Sequence, residues 1–184
     1  MTETFYDLFM TEYYQKLLTP AAGNPVRNRA DSLKVVFEEL GNKIDKTYNV
    51  LETGCMRGDH GSYCFGDDGC ATHIFDVFVN FYNGHLYSVD INPNNVEYSR
   101  ARVSERTTVT CSDSVPYLYS LPKDLKFDLI YLDSYDIERD NPHPSQLHHI
   151  KELCAVMKNV KDGTILVVDD HDAFFTEGRI GKGT

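Results

Sequence analysis

The chain has no tryptophan and few basic residues: 18 lysines and arginines stand against 28 aspartates and glutamates in 184 residues, a formal charge of −10. A uniformly acidic chain repels phosphate backbones and anionic lipid, which argues against nucleic acid and membrane surfaces as partners. No apolar run approaches the ~20 residues that a bilayer-spanning helix needs. The opening stretch MTETFYDLFMTEYYQKL is amphipathic and carries acids, unlike a secretory or transit peptide. Cysteines are few and odd in number (Cys55, Cys64, Cys70, Cys111 and Cys154), which reads as reduced thiols in a cytoplasmic protein. Cys55, His60, Cys64 and Cys70 lack the closely paired cysteines of a zinc knuckle, so a plain loop with partly buried thiols is expected there. The dinucleotide fingerprint G-x-G-x-x-G is absent, as are internal repeats and low-complexity tracts. These absences exclude a membrane protein, a fibre, a disordered tail and a disulfide miniprotein. They leave a chain of single-domain length with a sizeable core.

What is present is periodicity. Phe5, Leu8, Phe9, Tyr13, Leu17 and Leu18 recur at helical spacing over 5–18, and Pro20, Gly23 and Pro25 break the pattern over 19–25. A second helix is expected over 27–41, with Leu33, Val36, Phe37 and Leu40 on its apolar face and Gly41 as its stop. The tyrosines of this region (Tyr6, Tyr13, Tyr14) read as packing or as a dimer surface. Five runs rich in β-branched and aromatic residues come next: YNVLE (48–52), HLYSVD (85–90), TTVTC (107–111), FDLIYLD (127–133) and GTILVVDD (163–170). Helix-like stretches near 71–82, 93–104, 113–120 and 145–158 separate them. Strands alternating with helix-length segments predict right-handed crossovers and a parallel sheet covered on both faces. The continuous apolar character of LIYL and ILVV agrees. The expected fold is α/β: a doubly wound, mostly parallel Rossmann-like sheet preceded by two helices. It forms one domain, with helices over 1–47, a core over 48–170 and a terminal loop over 171–184.

In such sheets ligands bind beyond the carboxyl ends of the strands. Here an acid finishes or closely follows every strand: Glu52, Asp90, Asp113, Asp133, and Asp169 with Asp170. Buried acids are costly unless paired, hydrogen-bonded or metal-bound, so a row of them along one rim suggests a polar ligand with several donors. Helix N-capping is the plainer account of such acids and suits Asp113, which precedes SVPYLYSL. Glycines in Glu52-Thr53-Gly54-Cys55-Met56-Arg57-Gly58 allow a sharp turn close to a ligand, and the following helix is delayed to about Cys70–Ala71.

YNVLETGCMRG, LYSVDINP, TVTCSDSVPYL, FDLIYLDSYD and TILVVDD, in this order and spacing, resemble class I S-adenosylmethionine-dependent methyltransferases, and most of all the small-molecule O-methyltransferases of catechol and macrolide-sugar type. The resemblance covers about residues 48–170. It implies that Glu52, Gly54 and Gly58 hold the methionine part of the cofactor, that Asp90 takes the ribose hydroxyls, and that Ser112 and Asp113 sit beside the adenine. Met56 stands where the family has its middle glycine, and the loop 59–69 is an addition. Asp133, Asp169 and Asp170 are similar to the acids that hold a divalent cation, Mg²⁺ by preference, in the metal-dependent branch. Such relatives carry a lysine three residues after the first metal acid. Here Asp136 takes that place, as a weak base or a fourth ligand, and His171 is the other candidate base. His143, His148 and His149 are expected to pack or face solvent.

The resemblance implies methyl transfer to a hydroxyl of a small molecule, such as a sugar or a catechol-like diol. A nucleoside-binding or scaffold protein of the same fold is the alternative, and a nicotinamide-dependent oxidoreductase is disfavoured by the missing fingerprint. Methyltransferases of this type add a helix and an antiparallel strand pair after the fifth strand, and only HDAFFTEGRIGKGT follows here. An uncovered edge strand is normally paired or shielded, so a homo-oligomer, or a segment supplied by another chain, is expected. Light scattering checks this: an oligomer is the expected result, and a monomer with that edge open to solvent refutes it.

Overall fold

The computed structural model describes residues 4–19, 29–40, 46–57, 65, 70–138, 140–170 and 181–183. Helices α1 (Phe5–Glu12), α2 (Tyr14–Leu18) and α3 (Arg29–Leu40) precede strand β1 (Asn49–Thr53). Then come α4 (Ala71–Phe81), β2 (His85–Asp90), α5 (Pro93–Arg100), β3 (Thr107–Cys111), α6 (Ser114–Ser120), β4 (Leu129–Leu132), α7 (His143–Val156) and β5 (Ile165–Val168). The helix expected over 5–18 is broken at Tyr13, whose backbone lies at φ −117°, ψ −37°. Thr4 and Asp7 cap its start reciprocally, each accepting from the other's backbone amide. Gly41, the expected stop of the second helix, lies outside the described residues. α7 starts at His143, earlier than the expected Ser145.

Among the described residues the strands form one five-stranded sheet in the order β3-β2-β1-β4-β5, and every neighbouring pair is parallel. This is the doubly wound α/β arrangement. The chain runs outward from β1 to β3, then returns to the other side of β1 to place β4 and β5. The direction of winding therefore reverses between β1 and β4.

Alternation along the strands divides the core in two. Val50, Leu129 and Tyr131 point to one face, and Leu51, Ile130 and Leu132 to the other, as a period of two requires. On the first face α1, α3 and α4 meet in an aromatic cluster. Phe37 is fully buried there, with ring centroids 4.8 Å from Phe5, 4.9 Å from Phe9 and 5.3 Å from Phe78. The Tyr82 hydroxyl accepts from the Phe5 amide at 3.2 Å, pinning the first turn of α1 to the end of α4. Of the early tyrosines, Tyr13 packs near Phe65 and His73, and Tyr14 donates to Asp31 at 2.7 Å. On the second face Leu118, Phe127, Ala155 and Val156 bring α6 and α7 against the sheet.

The cysteines depart from the expectation of thiols throughout. Cys55, Cys111 and Cys154 are free, but Cys70 is disulfide-bonded. A disulfide sulfur is not available as a zinc-ligating thiolate, which removes one member of the cysteine–histidine set. His60 and Cys64 lie outside the described residues. No described helix is long and apolar enough to cross a membrane.

Because the aromatic cluster joins the early helices to the sheet, Phe37→Ala is expected to cost about 3–5 kcal/mol of unfolding free energy. Val35→Ala, at a neighbouring position 59% exposed, should stay within about 0.5 kcal/mol. Urea unfolding followed by circular dichroism measures both.

Candidate ligand site at the carboxyl edge of the sheet

A cavity of about 320 Å³ opens at the carboxyl ends of β1, β2 and β4, where the winding reverses; Glu52, Gly54, Met56, Asp90, Asn95 and Asp133 are among its lining residues. Gly54 holds this edge together. Its φ of +82° suits glycine, and a Cβ there would lie 2.3 Å from the Asp133 carbonyl oxygen. Its amide donates to the Val89 carbonyl at 2.8 Å, so the turn leaving β1 touches the ends of both neighbouring strands. Glu52 is buried on β1 and accepts from Ser88 Oγ at 2.6 Å. Both oxygens of Asp90 are engaged: Oδ2 accepts from the Cys55 amide at 3.0 Å and from Asn95 Nδ2 at 3.3 Å, and Oδ1 from the Asn92 amide at 2.7 Å. The carboxylate is thus held in a fixed orientation on the cavity wall. Burial pushes the neighbouring Cys55 thiol far above the usual thiol range, so it stays protonated.

Ser112 and Asp113 follow β3 but do not line the cavity. Asp113 is the N-cap of α6, accepting from the Val115 amide at 2.9 Å, and Ser112 Oγ donates to the Asp113 carbonyl at 3.0 Å. Gly58 lies outside the described residues.

Asp133, Asp169 and Asp170 converge beside the cavity, each offering a carboxylate oxygen within 4.8 Å of the others. Two cations from distant parts of the chain meet them. Arg29, in the first turn of α3, donates to Asp169 and lies 3.7 Å from Asp133. Lys182 Nζ lies 2.5 Å from Asp133 and 3.2 Å from Asp170. The side chains of Lys182 and Arg29 are only 0% and 8% exposed, so both cations are buried against partly buried acids. Burial, and next the charge on Asp169, push Asp133 up to about 8. Against the same burial, Arg29 and then Lys182 hold Asp169 down at about 2. The two carboxylates titrate as a pair, with Asp169 ionising before Asp133.

Asp136 is not part of this group. It is 70% exposed and paired with Arg57 at 2.9 and 3.4 Å across the cavity rim, an arrangement that joins the loops after β1 and β4. His171, the other candidate base, lies outside the described residues. His149 is buried on α7, with Nδ1 2.8 Å from the Ser145 carbonyl, and His148 is 2.9 Å from Ser114 Oγ. Both contacts are structural, in line with the expectation that these histidines pack. Sequence reasoning missed Arg29 and Lys182. No local motif marks them: Arg29 is 140 residues from Asp169, and Lys182 is 49 from Asp133.

No protein-family model matches the sequence, and no curated protein does either. Solved structures do. The MycE methyltransferase of the mycinamycin biosynthetic pathway, in complex with Mg, SAH and mycinamycin VI, superposes with a TM-score of 0.60 at 18% identity, over 88% of this chain and 37% of its own. The same enzyme with Mg and SAH gives 0.51 at 16% identity, over 77% and 32%. A candidate rRNA-methylase from Clostridium thermocellum gives 0.52 at 13% identity, over 79% of this chain and 73% of its own. The chain has the fold of these methyltransferases. It spans little more than a third of the MycE chain.

Removing one member of a buried ion pair strands the other charge. Arg29→Met is therefore expected to cost about 3–5 kcal/mol in urea unfolding. Adding Asp169→Asn to it should return part of the loss, and strictly additive losses would show that the pair does not interact.

Proposed function

We propose that the chain is an S-adenosylmethionine-dependent methyltransferase acting on a hydroxyl of a small molecule, with a divalent cation, Mg²⁺ by preference, on Asp133, Asp169 and Asp170. The observation that carries this reading is the double position of Asp133, which lines the cavity and belongs to the acidic cluster. A ligand in the cavity and a cation at the cluster would therefore share one wall. The cluster fits a cation on the evidence of its own stand-ins: a guanidinium and an ammonium are already seated on it. Oxygen donors of this kind suit a hard divalent ion. The likeness to an enzyme solved with Mg, SAH and mycinamycin VI supports the combination.

The chain's own residues divide the work. Glu52, Gly54 and Gly58 hold the amino-acid end of the cofactor. Asp90, locked by the Cys55 and Asn92 amides, presents a pre-oriented carboxylate edge to the ribose hydroxyls. Ser112 and Asp113 border the adenine. The cofactor, when bound, supplies an electrophilic methyl group on a sulfonium. A divalent cation supplies positive charge that lowers the pKa of an acceptor hydroxyl. Positioning the acceptor oxygen in line with the methyl group is then the main task left to the protein. Asp136 at the rim and His171 are the groups proposed to take the hydroxyl proton. The charge of −10 favours a small acceptor over RNA.

The seating of Lys182 among the three acids also favours a second reading, a nucleoside-binding protein that does not transfer methyl groups. Calorimetry and turnover separate the two. S-adenosylhomocysteine is expected to bind, and Asp90→Ala to weaken that binding at least ~100-fold, the effect of losing a bidentate charged contact of about 3 kcal/mol. Methyl transfer to diol acceptors should stop in EDTA and return with Mg²⁺. Unchanged binding by the Asp90 variant sinks the cofactor assignment, full activity in EDTA sinks the cation, and binding without turnover across a broad hydroxyl panel favours the second reading.

A further inference from the structure

Resting on the cation reading just given, we propose that Lys182 is a built-in competitor for the divalent cation: the segment 181–183 seats its ammonium on Asp133 and Asp170 when the cation is absent and yields the position when the cation binds.

Residues 181–183 make contacts on both sides of the cluster. Lys182 Nζ contacts Asp133 at 2.5 Å and Asp170 at 3.2 Å, and the Lys182 amide donates to the Asp170 carbonyl at 3.3 Å. On the far side the Gly181 carbonyl accepts from Gln146 Nε2 on α7 at 3.3 Å.

Arg29 and Lys182 play different parts. Arg29 projects from a helix anchored in the aromatic core, and its partner Asp169 closes β5. That pair is built into the scaffold. Lys182 belongs to a short turn, and its ammonium lies on Asp133 and Asp170, whereas Arg29 donates to Asp169 and lies 3.7 Å from Asp133. Three carboxylates face two cations. Exchanging a monovalent ammonium for a divalent ion, with Arg29 retained, would add one positive charge against the three acids.

Two further features shape the cluster. The Tyr131 hydroxyl, on a residue only 2% exposed, lies buried against Asp169. Asp170 itself holds a φ of +50°, a left-handed conformation that aspartate tolerates, and this turns the chain so that its carboxylate faces the cluster. A single ammonium has three donors in a compact head, and here it bridges two carboxylates. A divalent ion with several coordination positions can engage all three.

The consequence is a cation affinity set by the fraction of time the ammonium is away, since apparent affinity falls in proportion to the competent fraction. The test uses the full chain and Mn²⁺ alone, with free Mn²⁺ read by electron paramagnetic resonance. Wild type and Lys182→Met are titrated in parallel. Wild type is also followed by hydrogen exchange, a measurement that needs no variant to fold. The expected results are an affinity tighter by about tenfold or more in Lys182→Met, and faster exchange of the Lys182 amide in wild type once Mn²⁺ is added. Equal or weaker affinity in the variant, or unchanged exchange in wild type with Mn²⁺ bound, overturns the competitor role and leaves the cation site standing. Absence of Mn²⁺ binding in both proteins overturns the cation site and the competitor together.

Discussion

Gathering three partly buried carboxylates at one edge of a parallel sheet is the constraint on which this structure turns. A buried carboxylate without partners costs several kcal/mol, and like charges in contact raise that cost. The chain meets it with two cations brought from opposite ends of the described sequence, Arg29 and Lys182. Against burial and the Asp169 charge, which push Asp133 up to about 8, Lys182 and Arg29 favour its ionisation. These measures tie the early helices, the ends of β4 and β5, and residues 181–183 to a single point. Asp133 then links that point to the cavity beside it.

The early helices are consequently more than a covering for one face of the sheet. The packing of Phe5, Phe9, Phe37 and Phe78 orients α3, and α3 delivers Arg29 to the acids. Core packing on one face and electrostatics at the sheet edge are coupled through one helix. The other face, built on α6 and α7, contributes differently: Asp113 caps α6, and Gln146 on α7 holds the turn that carries Lys182. Asp136 illustrates the same division at the cavity rim. In the sequence it reads as a neighbour of the metal acids, whereas in space it faces Arg57 and joins the two loops that flank the cavity.

Much of the architecture was legible because it follows from local pattern. The five apolar runs are strands within a residue or two of their expected bounds, and their separation by helix-length segments indicated parallel pairing. The site was legible only in part. Glu52, Gly54, Asp90 and Asp133 line one cavity because each ends or follows a strand, and strand ends in a parallel sheet share an edge. Ser112 and Asp113 also follow a strand, but β3 is at the margin of the sheet and Asp113 serves as a helix cap. The expected single early helix is two, because the apolar spacing continues through Tyr13 although the backbone breaks there. The expectation of thiols throughout rests on cysteine count alone, which carries no information on which sulfurs lie close enough to pair, and Cys70 is paired.

By itself the sequence determined the alternation of strands and helices, the placing of an acid after each strand, and the glycine that must follow β1. All are set by the period of the backbone and by the steric freedom of single residues. Only the tertiary structure decided what those acids face. Charges interact through space over a few ångströms, and Arg29 and Lys182 come near Asp133 and Asp169 only after the helices have packed and the sheet has closed. The scarcity of positive charge read from the composition acquires its meaning there: two of the few basic side chains are buried against one cluster of acids.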